Sequence, residues 1–163
     1  MVCKLRNNIV VTLALLPALA APIKPAWATD ASASPLTSPI GRWKTIDDET
    51  NTPRSIVEIV SVNGELQGRI LQIFYRPDEK PDPVCEACEG ERKDKPVIGM
   101  VFLWGLKADG ANEWAGGGVL DPKNGKIYNA KATLTEAGQK LRLRGYIGTP
   151  LLGRTQVWLR EVP

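Results

Sequence analysis

Histidine is absent from all 163 residues, and no other omission in this chain excludes as much. Without an imidazole there is no Ser-His-Asp or Cys-His pair, no histidine general base and no histidine metal ligand. Any catalysis would have to run on carboxylates, lysine, tyrosine or a thiol. Cysteine is nearly as scarce, with Cys3, Cys85 and Cys88 the full set. No stretch after Ala28 shows a sustained 3.6-residue apolar period, so no amphipathic helix is predicted.

The N-terminus reads as a secretory signal. Lys4 and Arg6 make a basic start, and Ile9 to Ala21 is apolar apart from Thr12 and Pro17. Ala26-Trp27-Ala28 then forms a small-x-small cleavage site before Thr29. The apolar run falls short of the ~20 residues of a spanning helix, so residues 1–28 are expected to be cleaved after Ala28. No membrane span is expected to remain, and the protein should be periplasmic or secreted; an uncleaved anchor is the alternative. Cys3 precedes the apolar run, which does not suit a lipoprotein signal. Three of the 21 basic residues, Lys4, Arg6 and Lys24, precede Thr29, leaving 18 basic against 18 acidic. The apparent basicity thus belongs to the export signal, and nucleic acid is not an expected partner.

What is present is a regular series of β-rich runs. Residues 29–39 are small, polar and proline-punctuated, a flexible leader. From Ile40 to Pro163 there is room for one domain. The predicted strands are Gly41–Ile46, Arg54–Val62, Glu65–Tyr75, Val97–Leu106, Glu113–Leu120, Lys126–Thr135, Lys140–Ile147 and Arg154–Val162. Asn63-Gly64 suits a type I′ hairpin, whose two central residues need positive φ. Gly116-Gly117-Gly118 inside a strand marks a bulge or a close backbone approach. Most connections are too short for parallel crossovers. A sequential antiparallel meander of about eight strands closes into an up-and-down β-barrel, which leaves no exposed edge. A sandwich is the second choice.

One long insertion, the loop at 76–96, carries Cys85-Glu-Ala-Cys88. Zinc would lack two ligands. A redox pair would need a lowered thiolate pKa, which Glu86, Glu89 and Glu91 oppose unless the Arg92-Lys93-x-Lys95 cluster folds back. The exported location favours a structural disulfide. No metal and no cofactor are expected. Asp47-Asp48-Glu49 is a carboxylate cluster whose simplest role is that of a solvated turn, and calcium there would need more oxygen ligands.

Taken together, several motifs resemble a known family. They are Gly41-Arg42-Trp43-Lys44-Thr45, the Cys85/Cys88 pair, Pro96-Val97-Ile98-Gly99, Asp121-Pro122, Gly125-Lys126-Ile127-Tyr128, Arg144-Gly145-Tyr146-Ile147-Gly148, and Gly153-Arg154 with Trp158. In that order they look like the bacterial exported family called domain of unknown function 2147, over Ile40 to Pro163. The resemblance implies a lipocalin-like (calycin) barrel. It also implies that Gly41-x-Trp43 is the opening motif, whose tryptophan plugs the closed end beneath an arginine of the last strand, Arg160 or Arg154. It brings no reaction and no ligand.

A ligand site is expected from the remaining arginines and aromatics. Arg144 and Tyr146 share one strand face, as do Arg154 and Trp158, and with Trp104 and Tyr128 they would suit a ligand with an anionic head and an apolar body. Whether those faces point inward is not set by parity, because Leu141, Leu143, Val157 and Leu159 occupy the opposite ones. The leading functional expectation is a non-enzymatic, exported small-ligand-binding barrel for an amphipathic or anionic molecule, with the cysteine loop as lid or rim. The alternatives are an envelope interaction module with a filled barrel, docking an envelope protein, and a thiol–disulfide protein using Cys85 and Cys88.

Overall fold

Each strand pairs antiparallel with the next, and the last pairs with the first. The computed structural model describes residues 37–81 and 83–161; the signal and residues 29–36 of the leader lie outside them. The strands are β1 (Gly41–Ile46), β2 (Pro53–Val62), β3 (Glu65–Ile73), β4 (Val101–Ala108), β5 (Glu113–Leu120), β6 (Ile127–Thr135), β7 (Lys140–Tyr146) and β8 (Gly153–Arg160). They form a closed barrel in sequence order, with β1 and β8 joined by three pairs, Trp43 to Arg160, Lys44 to Leu159 and Thr45 to Trp158. Two single-turn 3-10 segments, Gly90–Arg92 and Glu136–Gly138, are the helical elements among the described residues. The all-β up-and-down barrel is therefore the fold, with the expected number of strands.

The expected local devices are present. Asn63 and Gly64 both have positive φ, 52° and 81°, as a type I′ turn requires. In β5 the register slips between Trp114 and Gly117, with Gly116 at φ 82°. The two following glycines let neighbouring groups approach closely. A Cβ on Gly117 would lie 2.2 Å from the Trp104 carbonyl oxygen, and one on Gly118 only 2.8 Å from the Trp104 ring. One strand differs from expectation. Val97–Met100 is a turn leading into β4, because Gly99 takes φ 85° and Val97 donates its N–H to Pro83 O at 2.9 Å. Its apolar residues still reach the core, where Val97 and Met100 are buried.

Register assigns the two faces. Trp43 opposite Val57, Leu134 opposite Leu141, Ala132 opposite Leu143 and Leu141 opposite Trp158 all lie on the inner face, and all are buried. These side chains join Phe102, Leu103, Leu106 and Ala130 in one apolar cluster. Burying each large member contributes about 1.5–3 kcal/mol, which ordered backbone entropy largely offsets.

β4 and β8 face each other across the barrel, four strands apart, yet the Phe102 and Trp158 rings approach to 6.0 Å between centroids. The lumen at that level is occupied by side chains. The small Ala130 and Ala132, both fully buried, are the room left for them.

One end is sealed. Trp43 is wholly buried and donates its indole N–H to Pro39 O at 2.9 Å. The Arg160 guanidinium lies over that ring at 4.2 Å. It donates to the carbonyls of Gly138 (2.6 Å), Ser38 (2.7 Å) and Ile40 (3.2 Å). Gly41, at φ 128°, leaves space for it: a Cβ there would stand 3.2 Å from Nη1. Of the two arginines proposed for this place, Arg160 occupies it.

Candidate functional site

The opposite end carries the β1–β2, β3–β4, β5–β6 and β7–β8 connections, and the long β3–β4 loop dominates it. Ion pairs anchor the start of that loop. Arg54 pairs with Glu79 at 2.6 Å and donates to Phe74 O, while Arg76 reaches Asp47 at 2.6 Å in the β1–β2 turn. The middle is closed by a short antiparallel bridge, Val84 with Pro96, where Cys85 N–H donates to Lys95 O.

Cys85 and Cys88 form a disulfide. Their exposures are 0% and 3%, so the sulfurs belong to the core cluster rather than to the surface. A thiolate from solution must reach a disulfide sulfur to exchange with it. That burial favours a structural clip over a redox centre.

The β5–β6 turn locks onto this loop. At Gly125, φ 72°, a Cβ would lie only 1.9 Å from Ala87 O, and Cys85 Sγ sits 3.3 Å from Pro122 O. The loop is thereby held over the ends of β5 and β6. Leu120 pairs with Ile127 on the outward series of those strands, yet it is buried.

A groove of about 360 Å³ opens between loop and strands. That is at the lower end of the range of small-molecule sites. Its apolar side is Leu120, Ile127 and Ile147, and its polar side is Arg92, Lys126, Glu89 and Tyr128. Arg92 rests on an aromatic face rather than on a carboxylate, with its guanidinium 4.8 Å from the centre of the Trp104 ring. Trp104 in turn lies close against Gly118. Tyr128 accepts a hydrogen bond from Asn124 Nδ2 at 3.2 Å. Two cations against one carboxylate give this groove an amphipathic, weakly positive lining.

The six residues expected to form one ligand site are dispersed. Tyr128 lines the groove. Trp104 lies outside the barrel wall, paired with Gly118, and supports Arg92 from beneath. Arg144 and Tyr146 are on the outer face, because Leu141 and Leu143 take the inner one. The Arg144 guanidinium donates to Pro150 O (2.6 Å), Leu151 O (3.3 Å) and Thr155 Oγ1 (2.8 Å), fastening the β7–β8 turn. Arg154 is exposed and ion-paired to Asp48 at 2.6 Å. Trp158 fills the lumen.

Sequence reasoning singled out the Arg92-Lys93-x-Lys95 run but did not place Arg92 in a site. Asp47 is a turn organiser rather than an acid–base group. It accepts N–H bonds from Glu49 and Thr50, the Thr50 hydroxyl and Arg76. Among the described residues no three Cys, Asp or Glu stand close enough together to hold a metal ion.

A closed eight-stranded meander, sealed at one end by a tryptophan under an arginine, defines a lipocalin-like barrel. In a comparison with solved structures the chain is similar to protein HP1028 of the human pathogen Helicobacter pylori, described as belonging to the lipocalin family. The TM-score is 0.67 at 19% identity, covering 78% of this chain and 85% of that one, and the likeness is one of fold. Among curated proteins nothing matches. The family model described as "uncharacterized protein conserved in bacteria (DUF2147)" matches residues 41–160, and the chain belongs to that family.

Proposed function

We propose that this is an exported barrel that binds a small amphipathic anion at its mouth, without acting on it chemically. The observation that carries this is the groove beside the cysteine loop, where Arg92 and Lys126 stand next to Ile127 and Ile147, which are 56% and 64% exposed. A charge-assisted bond to an anionic head and burial of two isoleucines would act together. The Phe102–Trp158 contact occupies the lumen at its level, and the groove lies at the rim. Export is supported by the Cys85–Cys88 disulfide, a bond typical of oxidising compartments.

The test is a titration followed by tryptophan fluorescence, since Trp104 lies directly under Arg92. A saturated fatty acid should bind, the matching neutral alcohol should bind more weakly, and Arg92→Ala should weaken the acid by roughly tenfold. Equal binding of acid and alcohol by both variants would sink the reading. Intact mass of the secreted chain should place its first residue at Thr29, and retention of residues 1–28 would remove the export part.

A second reading is favoured by one observation, the Phe102–Trp158 contact that occupies the lumen at its level. A solid barrel suits an envelope interaction module. A complete failure of amphiphiles to bind would favour it.

A further inference from the structure

The β7–β8 connection presents an apolar tip to solvent. Every residue from Ile147 to Leu152 is exposed, Leu151 by 89% and Leu152 by 72%. Two leucines left in water at the end of a turn need a reason, because the barrel has an interior that this segment does not enter. The turn is not loose either. Leu152 N–H donates to Thr149 O at 3.1 Å, Ile147 N–H to Leu152 O at 3.1 Å, and the Arg144 guanidinium grips the carbonyls of Pro150 and Leu151 from the outer wall. The leucines are held outward by the backbone beneath them.

Their surroundings point to an occupant. Arg144 bonds only neutral oxygens, so its charge stays uncompensated below the tip. The neighbouring β5–β6 turn, at the same end of the barrel, adds the exposed Lys123 and Lys126. A projecting aliphatic tip with Arg144 beneath it and Lys123 and Lys126 on the turn to one side suits an anionic lipid surface, although the turn to its other side carries Asp48, paired with Arg154, and Glu49: the aliphatic chains enter the acyl boundary while the cations meet phosphates. A protein partner is the poorer fit. Protein hot spots favour Trp, Tyr and Arg anchors in packed pockets, and leucine is under-represented among them.

We infer that the Ile147–Leu152 turn docks the barrel, mouth first, onto an anionic phospholipid surface, with Leu151 and Leu152 inserted and Lys123, Lys126 and Arg144 facing the headgroups. This does not depend on the proposed amphiphile binding, although Ile147 borders both the turn and the groove and would place the groove at the lipid surface.

The experiment is co-sedimentation of the secreted chain with vesicles of phosphatidylglycerol and phosphatidylethanolamine, against vesicles of phosphatidylcholine alone. The first should bind and the second should not. Leu151→Ser with Leu152→Ser should lower the partition at least about tenfold. Lys123→Gln and Lys126→Gln should lower it roughly fivefold each. Val62→Ser, an exposed apolar residue of the β2–β3 hairpin at the opposite end, should leave it unchanged. Leu151→Trp keeps the apolar character, and the indole it introduces should be quenched by brominated lipid. Equal binding to phosphatidylcholine, no loss with the double serine variant, or an introduced indole that brominated lipid fails to quench would each overturn the inference. Self-association abolished by the same substitutions, without vesicle binding, would give the tip to a second copy and also overturn it.

Discussion

Arg160 is the side chain whose removal should be felt most for its size. It answers three carbonyls from two segments, Ser38 and Ile40 before β1 and Gly138 between β6 and β7, and covers the Trp43 ring. Burial pulls its pKa below the ordinary arginine value, which marks the cost of holding a cation there. Arg160→Leu should destabilise by about 2 kcal/mol in urea unfolding, and Arg160→Lys should recover little, since a single ammonium nitrogen cannot span carbonyls now bonded by three separate guanidinium nitrogens, nor lie flat on the Trp43 ring. An unchanged midpoint would mean the plug is ornamental.

Asp47 offers a pH signature. The backbone and side-chain bonds from Thr50, then the Glu49 N–H and the Arg76 charge, hold its carboxyl at about 2 instead of 3.8. A carboxylate depressed in the folded state contributes stability that is complete above the unfolded value of 3.8 and is lost as pH falls through about 2. Asp47→Asn should therefore flatten the acid limb between those two values, and a carboxyl NMR titration of the wild type should have its midpoint near 2. A midpoint near 4 would contradict the network. At this scale the sequence was ambiguous for a simple reason. Arg154 and Arg160 share strand parity, so only distance from the sealed end separates plug from surface ion pair.

The strands themselves were legible to within a residue or two, because turn chemistry and alternation are local signals. Val97–Met100 was not, since an apolar run reads alike whether it is strand or buried turn; the positive φ of Gly99 decides it. The groove was illegible for another reason. Its walls come from three segments, around 88–92, 120–128 and 147, brought together by the fit of Gly125 against Ala87 O. That fit can be tested directly. Gly125→Ala introduces both an unfavourable φ and a collision with fixed backbone, so the turn must separate from the loop. It should cost roughly 1–3 kcal/mol and deepen hydrogen exchange across 85–96. Opening the disulfide by Cys85→Ser with Cys88→Ser should cost about 2 kcal/mol from ring closure, with the barrel's circular dichroism retained. The reverse order, a larger effect on the barrel than on the loop, would show the clip to be central to the fold.

For the whole molecule, the decisive contact is the one between Phe102 and Trp158 across the lumen. Phe102→Ala should destabilise by about 3–5 kcal/mol if the void cannot collapse, as a core deletion does, and should open an apolar cavity able to take up benzene or xenon. A loss below about 1 kcal/mol would indicate that the interior was already slack there.

Joining Trp43, Lys44 and Thr45 to partners more than a hundred residues downstream has a consequence for biogenesis. The staves of this cask cannot be hooped until the final one has arrived. A nascent polypeptide must wait, with both flanks of its curved ribbon uncovered, until Arg160 emerges. Pulse-labelled exchange should find the amides of that last suture protected after all the others.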